Sequence, residues 1–331
     1  MRRRNFVRLF GFAPAIFSVI AHAQQIGGRM RRIGALIALA ENDPEGKTWI
    51  DAFQTGLKAL GWVDGENVRI DYRFAPAGAH ADTLARELVS LEPDVILTFS
   101  TPATAAVKRV AGVIPIVFLG IADAVGQGLV PSLTHPGANL TGLTMFEASV
   151  TGKWLSMLKE FEPALTRAAL VVNAKTAPYY DFYLRAAQAE APALGIEPVL
   201  VAIDDSADAI TRAIDDFAGA KGGGLLVLPD STTNLYRDLI IGLAAKHRLP
   251  AVYTNRFFVT GGGLMSYGVS WIHEFRLAAS YVDRILRGTK PADLPVQAAA
   301  KFVMVLNART ARALGKAVPA SLLIAADEVI E

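Results

Sequence analysis

The chain has no cysteine among its 331 residues. Disulfide bonds, thiolate catalysis and thiolate metal sites are therefore all excluded. Charged residues are also sparse, at 19%, whereas apolar residues reach 52%. A protein of this composition is held together by its hydrophobic core, and the chain is long enough for two domains of about 150 residues each.

Metal-binding and catalytic motifs are absent from the sequence as well. The five histidines never lie at the spacing of metal ligands, so no metal site is predicted. No serine lies in a G-x-S-x-G elbow. The run Gly46-Lys47-Thr48 comes nearest to a phosphate loop, but Glu41 stands where the loop needs its first glycine, and Pro44 removes an amide donor. We therefore expect neither an enzyme nor a bound cofactor.

The first 23 residues have the pattern of an export signal. Residues 1–8 contain four arginines and no acid, residues 9–20 are almost wholly apolar, and Ala21-His22-Ala23 has the small-x-small pattern that signal peptidase cleaves. A permanent anchor is the weaker alternative, because the apolar stretch is shorter than the about 20 residues that span a bilayer and contains Pro14. Residues 3–8 also resemble a twin-arginine motif, so the general and twin-arginine export routes both stay open.

Loss of this segment changes the charge of the protein. The whole chain has 33 Lys and Arg against 31 Asp and Glu, a net charge of +2. Four of the basic residues lie in the signal, so the rest has 29 basic residues against 31 acidic ones and a net charge of −2. No basic stripe with interleaved aromatic residues remains, and nucleic acid is not an expected partner. No second apolar run approaches the length of a membrane span, so we expect a soluble mature protein.

From residue 32 onward, short apolar runs alternate with amphipathic segments, which is typical of a parallel sheet covered by helices on both faces. The order β-α-β-α-β-α-β occurs twice, and the Ala-Leu-Gly run at 59–61 recurs at 193–195. This repeat predicts two Rossmann-like lobes. The predicted strands cover 33–40, 68–72, 94–99 and 115–119 in the first lobe and 168–172, 198–202, 224–228 and 250–253 in the second, with helices over 49–60, 80–91, 103–110, 179–194, 207–217 and 232–247.

The residues after Leu264 exceed two plain repeats. A strand, a long helix over 271–286 and a last strand over 301–306 predict a chain that crosses back between the lobes and builds a hinge of several strands. The expected division gives 1–23 to the signal peptide, 31–146 and about 268–297 to the first lobe, and 147–267 and about 298–331 to the second lobe.

Polar residues cluster where the predicted strands end, which is where ligands bind in open α/β sheets. Ser100-Thr101-Pro102 closes a buried strand and opens a helix, whose hydroxyls and free amides suit a carboxylate; a plain helix N-cap is the alternative. Tyr179 begins a helix and either packs in the core or closes over a flat ligand. The candidate ligand-binding residues are Glu41, Asn42, Ser100, Thr101 and Asp123 in the first lobe and Asn173, Tyr179, Asp230, Asn255 and Tyr267 in the second.

A long ordered series of motifs runs through the chain. It includes GWVDGENV at 61–68, TPA at 101–103, PGANLTG at 136–142, GGLMSYG at 262–268 and AADEVIE at 325–331. With this series, residues 32–331 resemble the ABC-transporter substrate-binding proteins, a family that includes tryptophan- and tyrosine-binding lipoproteins. The resemblance implies a type I periplasmic binding protein, with two doubly wound lobes around a hinged cleft, that delivers a small solute to an inner-membrane permease.

This chain departs from the family in two respects. Many members are lipoproteins tethered through a cysteine, so the lack of cysteine predicts a freely diffusing periplasmic protein. Members usually have glycine before Thr-Pro-Ala, where this chain has Ser100, and that hydroxyl can alter ligand preference.

We expect a monomeric binding component of an ABC importer that takes up an amino acid or related carboxylate by closure of its lobes. Ser100 and Thr101 suit the carboxylate. Asp123 or Asp230 suits the ammonium. The alternatives are an exported Rossmann-like enzyme and a ligand-sensing partner of a membrane receptor, which has the same fold.

Overall fold

A computed structural model describes residues 29–145 and 149–331, so the predicted export signal lies outside the described residues. The strands are β1 (Arg31–Ile37), β2 (Val68–Phe74), β3 (Val95–Phe99), β4 (Ile116–Ile121), β5 (Leu140–Thr144), β6 (Arg167–Val172), β7 (Glu197–Ala202), β8 (Gly223–Val227), β9 (Ala251–Tyr253), β10 (Met265–Val269), β11 (Gln297–Ala298), β12 (Phe302–Asn307) and β13 (Glu328–Ile330). The helices are α1 (Pro44–Ala59), α2 (Ala81–Ser90), α3 (Thr101–Val110), α4 (Val150–Phe161), α5 (Tyr180–Glu190), α6 (Ala207–Ala218), α7 (Ser231–Leu235), α8 (Arg237–Lys246), α9 (Arg256–Thr260), α10 (Trp271–Leu286), α11 (Ala308–Ala313) and α12 (Ala320–Ala325).

The strands form two sheets. One has six strands in the order β11-β5-β4-β3-β1-β2, and the other has seven in the order β13-β12-β10-β9-β8-β6-β7. Neighbouring strands run parallel in both sheets, except that β10 and β12 are antiparallel. We call the six-stranded sheet with its helices the first lobe and the seven-stranded sheet with its helices the second lobe. The predicted α/β protein with two parallel-sheet lobes is confirmed.

The central strands are apolar because helices cover both faces of each sheet. Every residue of β3 and β4 is buried, and so is every residue of β9. A continuous apolar run is what a parallel strand needs when neither face meets water. This is why short apolar runs identified these strands in the sequence.

Helix α10 follows a strand of the second lobe and packs against helix α1 of the first. The two helices approach closely at Gly56, where an added Cβ would lie 2.9 Å from the Cβ of Ala279. A larger residue at position 56 would force the helices apart. The chain then enters the first sheet at β11 and returns to the second at β12.

Several elements differ from the sequence predictions. Strand β5 was not predicted, because its LTGLT run contains two threonines and a glycine and lacks a strong apolar signal. Helix α4 was not predicted either. The helix predicted over 232–247 is divided into α7 and α8 at Tyr236, whose ψ of 23° is outside the helical range. The helix predicted over 179–194 ends as α5 at Glu190 and continues only as a short 3₁₀ turn, which contains Pro192.

Candidate functional site in the cleft between the lobes

The carboxyl ends of the parallel strands of both lobes border a common cleft. A cavity of about 270 Å³ is lined from the first lobe by the loop after β1 and by Pro76 and Ala77 after β2. The opposite wall comes from Ser231, Asn234 and Arg237 of the second lobe. Because both lobes contribute walls, a ligand held here contacts both of them, as expected at the strand ends of open sheets.

A second cavity of about 350 Å³ lies at the start of helices α2 and α3. His80 and Thr101 line it from the first lobe, and Lys175 and Pro178 line it from the second. Thr101 is 6% exposed, and its Oγ1 has no hydrogen-bond partner among the described residues. A buried hydroxyl without a partner at the positive end of a helix is suited to an anion. The ammonium of Lys175, on the opposite wall, pairs with Asp204 of its own lobe at 3.2 Å.

Ser100 precedes this helix with an unusual backbone. Its φ is +94° and its ψ is 158°, a region that residues other than glycine rarely adopt. The Ser100 Oγ accepts a long hydrogen bond of 3.5 Å from the backbone N–H of Ala103, so the residue also acts as the N-cap of α3. Of these two neighbouring residues, Thr101 lines the cavity, whereas Ser100 is shown as the buried cap of the helix.

Asp123 follows β4 and is half-buried at the cleft edge of the first lobe. Its Oδ1 accepts a 2.7 Å hydrogen bond from the N–H of Gly126. Burial raises the pKa of the Tyr183 phenol well above its ordinary value, and the negative charge of Asp123 raises that pKa further. The Tyr183 hydroxyl is buried and has no hydrogen-bond partner among residues 29–145 and 149–331.

Tyr179, which the sequence proposed for ligand contact, is buried and donates a 2.7 Å hydrogen bond from its hydroxyl to the carbonyl of Pro229. Its ring contacts Tyr183, with centroids 6.1 Å apart. Of the two alternatives for Tyr179, core packing and ligand contact, its burial and this hydrogen bond correspond to core packing. Tyr183, one turn later, has the unpaired hydroxyl.

Asn173 follows β6 and Asp230 follows β8, and both side chains hydrogen bond within the second lobe. The Asp230 Oδ2 accepts from the backbone N–H of Asn173 at 2.8 Å, and its Oδ1 accepts from the N–H of Thr232 at 3.0 Å and from the hydroxyl of Thr176. Asn173 donates from Nδ2 to Thr232 Oγ1 at 3.1 Å and accepts the N–H of Lys175 at 2.9 Å. Burial raises the pKa of Asp230, and these hydrogen bonds lower it in part. The pair shapes the loops that carry Lys175 and helix α7.

Asn255 is buried at a contact between the lobes. Its Oδ1 accepts a 2.6 Å hydrogen bond from the indole N–H of Trp271, and its Nδ2 donates to Asn234 Oδ1 at 3.3 Å. Trp271 is the first residue of α10 and packs edge-on against Phe99 of the first lobe, with centroids 5.0 Å apart. Asn255 therefore links helix α10 to the second lobe through these two hydrogen bonds.

The remaining candidates lie further out. Glu41 and Asn42 are exposed; Asn42 lines the cavity of about 270 Å³, and both residues line an outer concavity formed by the first lobe alone. Tyr267 is half-buried and stacks on Phe302 with centroids 5.4 Å apart. It lines a cavity of about 430 Å³ near the chain crossings, together with Met145 and Lys153.

Sequence reasoning missed the charged contacts that join the lobes. Asp43 and Arg237 form an ion pair of 2.8 Å across the cleft mouth. Arg256 of the second lobe lies 3.9 Å from Glu45 of the first and 2.7 Å from Glu328 of its own lobe. The Asp43-Pro44 step was a usable signal, since Asp before Pro marks a helix start, but its distant partner has no local signature.

No group of three or more His, Asp or Glu in the described part of the chain could hold a metal ion. None of the described helices is long and apolar enough to cross a membrane.

Comparison with known proteins agrees with this geometry. A family model described as "ABC transporter substrate binding protein" matches residues 36–330. This chain belongs to that family. Its members are non-catalytic binding components of ABC transporters, so the prediction of a substrate-binding protein rather than an enzyme is confirmed.

Three similar proteins illustrate the relationship. The tyrosine-binding protein of Clostridioides difficile (strain R20291) is 25% identical over 263 residues, covering 79% of this chain and 75% of that protein. A conserved domain protein from Vibrio cholerae is 26% identical, with a TM-score of 0.83 over 91% of this chain and 100% of that chain. The ABC domain from Streptococcus pneumoniae in complex with L-Trp is 23% identical, with a TM-score of 0.80 over 91% of this chain and 100% of that chain. The type I periplasmic binding protein fold is thereby confirmed.

Proposed function

We propose that this protein binds an amino acid or a related small carboxylate between its lobes and presents it, in the closed form, to an ABC permease of the inner membrane. It acts as a periplasmic monomer after cleavage of residues 1–23. Its lobes divide at residues 146–147, 267–268 and about 297–298. Closure about the hinge stabilises a ligand that contacts both lobes and creates the surface that the permease recognises.

The cavity at the start of α3 is the observation that carries this proposal. It combines the unpartnered, buried hydroxyl of Thr101 with Lys175 of the opposite lobe. A carboxylate in this cavity accepts hydrogen bonds at the N-terminus of a ten-residue helix, each contributing about 0.3 to 1 kcal/mol. The ammonium of Lys175 pairs with the exposed Asp204 of its own lobe at 3.2 Å, and a carboxylate in the cavity competes for it and draws the lobes together. One anionic group thereby couples binding to closure.

The ammonium of an amino acid has a matching partner in Asp123. One oxygen of this carboxylate accepts from Gly126, and Oδ2 accepts no hydrogen bond from the described residues. The nearby Tyr183 hydroxyl adds an unpaired polar group in an aromatic setting, with Trp154 at 5.7 Å and Phe182 at 5.2 Å between ring centroids. A zwitterion with an apolar or aromatic side chain fits this combination. It agrees with relatives named for tyrosine binding and solved with L-Trp.

Native mass spectrometry of the mature protein, before and after denaturation, tests whether a small molecule co-purifies. A thermal-shift panel of the common L-amino acids should then find a compound that raises Tm by about 4 °C at a hundredfold excess over Kd. Thr101→Val should weaken binding of that compound about tenfold, because the hydroxyl is lost without a change of shape. Thr211→Val, on the exposed face of α6, is the matched control and should leave Kd unchanged.

The proposal is overturned if nothing co-purifies and no amino acid shifts Tm. Full affinity in Thr101→Val, with an amino acid bound, would refute the carboxylate site alone. N-terminal sequencing of the protein released from the periplasm should begin at Gln24, which checks the export signal independently.

A further inference from the structure

The cavity of about 430 Å³ lies where the chain passes between the lobes. Met145 and Ala299, which directly follow β5 and β11, line it from the first lobe. Lys153, Tyr267 and Phe302 line it from the second lobe. We call it the crossing cavity. It shares no lining residue with the two cleft cavities, and its volume is in the range of small-molecule sites, so it is a separate candidate site that both lobes border.

The walls of the crossing cavity are largely apolar. The rings of Tyr267 and Phe302 stack with centroids 5.4 Å apart and planes at 17°, so they form one continuous aromatic surface. Met145 and Val150 are buried and add aliphatic surface. Such walls bind a flat apolar group, because the ring leaves water and gains dispersion contacts with the aromatic pair.

The charge at this cavity has one sign. Among the described residues that line it, Lys153 alone is charged, and its ammonium forms no ion pair with a described residue. Lys153 lies in the first turn of α4, and the N-terminal end of this 12-residue helix adds positive potential. No acidic residue of the described chain lines the cavity, so a carboxylate has a partner here and an ammonium has none.

We propose that the crossing cavity is a second ligand site, which takes an aromatic carboxylate with its ring against Tyr267 and Phe302 and its carboxylate at the ammonium of Lys153. An amino acid is a poorer ligand for this site, because its own ammonium would lie close to that of Lys153. The proposal does not depend on amino-acid binding in the cleft, since the cavities have no lining residue in common.

Fluorine NMR with para-fluorophenylacetate and its neutral carboxamide tests the site. The wild type should bind the carboxylate with a Kd of about 1 mM or tighter, and the carboxamide about fivefold more weakly. Lys153→Gln should weaken binding of the carboxylate about fivefold and leave the carboxamide unchanged, because only the charge is lost. Lys221→Gln, at an exposed lysine of the second lobe, is the matched control and should change neither Kd.

A second pair of variants locates the probe. Ala299→Leu places a larger side chain in the crossing cavity and should abolish binding of both compounds, whereas Thr101→Val in the cleft should leave both Kd values unchanged. The proposal is overturned if the wild type does not bind the carboxylate, if Lys153→Gln binds it as tightly as the wild type, or if Thr101→Val weakens it. Failure of every amino acid to bind the wild type would overturn the proposed function and leave this second site standing.

Discussion

Asp43 and Arg237 join the two lobes across the mouth of the cleft, with Nη1 of the arginine 2.8 Å from Oδ2 of the aspartate. The other aspartate oxygen caps helix α1, accepting from the N–H groups of Glu45 at 3.0 Å and Gly46 at 3.1 Å. Asp43 is only 6% exposed in its side chain, and Arg237 is 26% exposed. The guanidinium also lies over the ring of Phe257, with 5.4 Å from its carbon to the centroid. This ion pair links the first lobe to the second.

Loss of the arginine should therefore favour the open form. In Arg237→Gln, the closed form leaves the Asp43 carboxylate buried without its partner, whereas opening returns it to water. We expect a larger radius of gyration for the ligand-free protein in small-angle scattering, and a Kd about tenfold weaker because the binding-competent form is less populated. Arg73→Gln removes an exposed pair with Glu87 inside the first lobe and should change neither quantity.

A double-mutant cycle with Asp43→Asn identifies the pair as the cause, because asparagine keeps the helix cap and removes the charge. The two substitutions together should cost less than the sum of each alone. Additive effects, or an unchanged radius in Arg237→Gln, would mean that the ion pair does not bias closure.

Asp230 is expected to stabilise the second lobe rather than bind ligand. Asp230→Ala removes an acceptor of hydrogen bonds from the backbone of Asn173 and Thr232, which leaves buried donors unpaired. Unfolding free energy in urea should fall by about 2 to 4 kcal/mol. Asp181→Ala, which breaks an exposed i,i+4 pair with Arg185, should cost less than about 0.5 kcal/mol. If Asp230→Ala is as stable as the wild type but does not bind ligand, Asp230 contacts the ligand directly and this prediction is wrong.

The sequence predicted the fold well because the signal is local. Each central strand is a short apolar run, and each following helix is amphipathic, so β3 and α3 could be placed from periodicity. The cleft contacts are different in kind. Asp43 and Arg237 are 194 residues apart in the chain, and no local pattern pairs them.

The predicted strand ends indicate which residues border the cleft, but they do not determine the direction of each side chain. Thr101 lines a cavity, whereas Asp230 turns back to the amides of its own lobe. The difference depends on which donors tertiary packing brings close to each side chain. Tyr183 illustrates the same limit, because the effect of Asp123 of the other lobe on its phenol has no local signature in the sequence.

Gly268 on β10 should tolerate no side chain. A Cβ at this position would lie 1.7 Å from the carbonyl oxygen of Thr254, which is backbone and cannot move aside. Gly268→Ala should therefore cost more than about 3 kcal/mol or prevent soluble expression. Gly242→Ala is the matched control, since Gly242 lies in helix α8 with open space around it, and it should raise stability by about 0.5 to 1 kcal/mol. Similar Tm values for Gly268→Ala and Gly242→Ala would show that the backbone of β10 can move away from Thr254 at little cost.

Glu274, in the first turn of the crossing helix α10, should make stability depend on pH. It is 1% exposed, and neither carboxylate oxygen has a hydrogen-bond partner among the described residues. Burial raises its pKa to about 7, and the backbone of Ala300 lowers it only in part, without completing a hydrogen bond. The carboxyl lies beside the chain crossing, where the N–H of Ser270 donates to the carbonyl of Lys301 at 2.9 Å.

The sign follows from the proton count. The unfolded chain loses this proton near pH 4.5 and the folded protein near pH 7, so the folded state binds more protons in between, and stability falls as pH rises through this window. Tm measured from pH 4.5 to 8 should therefore decline more steeply in the wild type than in Glu274→Gln, which keeps the neutral shape at every pH. Glu87→Gln, at an exposed carboxylate, should retain the wild-type slope. If Tm depends on pH equally in the wild type and in Glu274→Gln, the Glu274 carboxyl has its ordinary pKa and is hydrated in the folded protein.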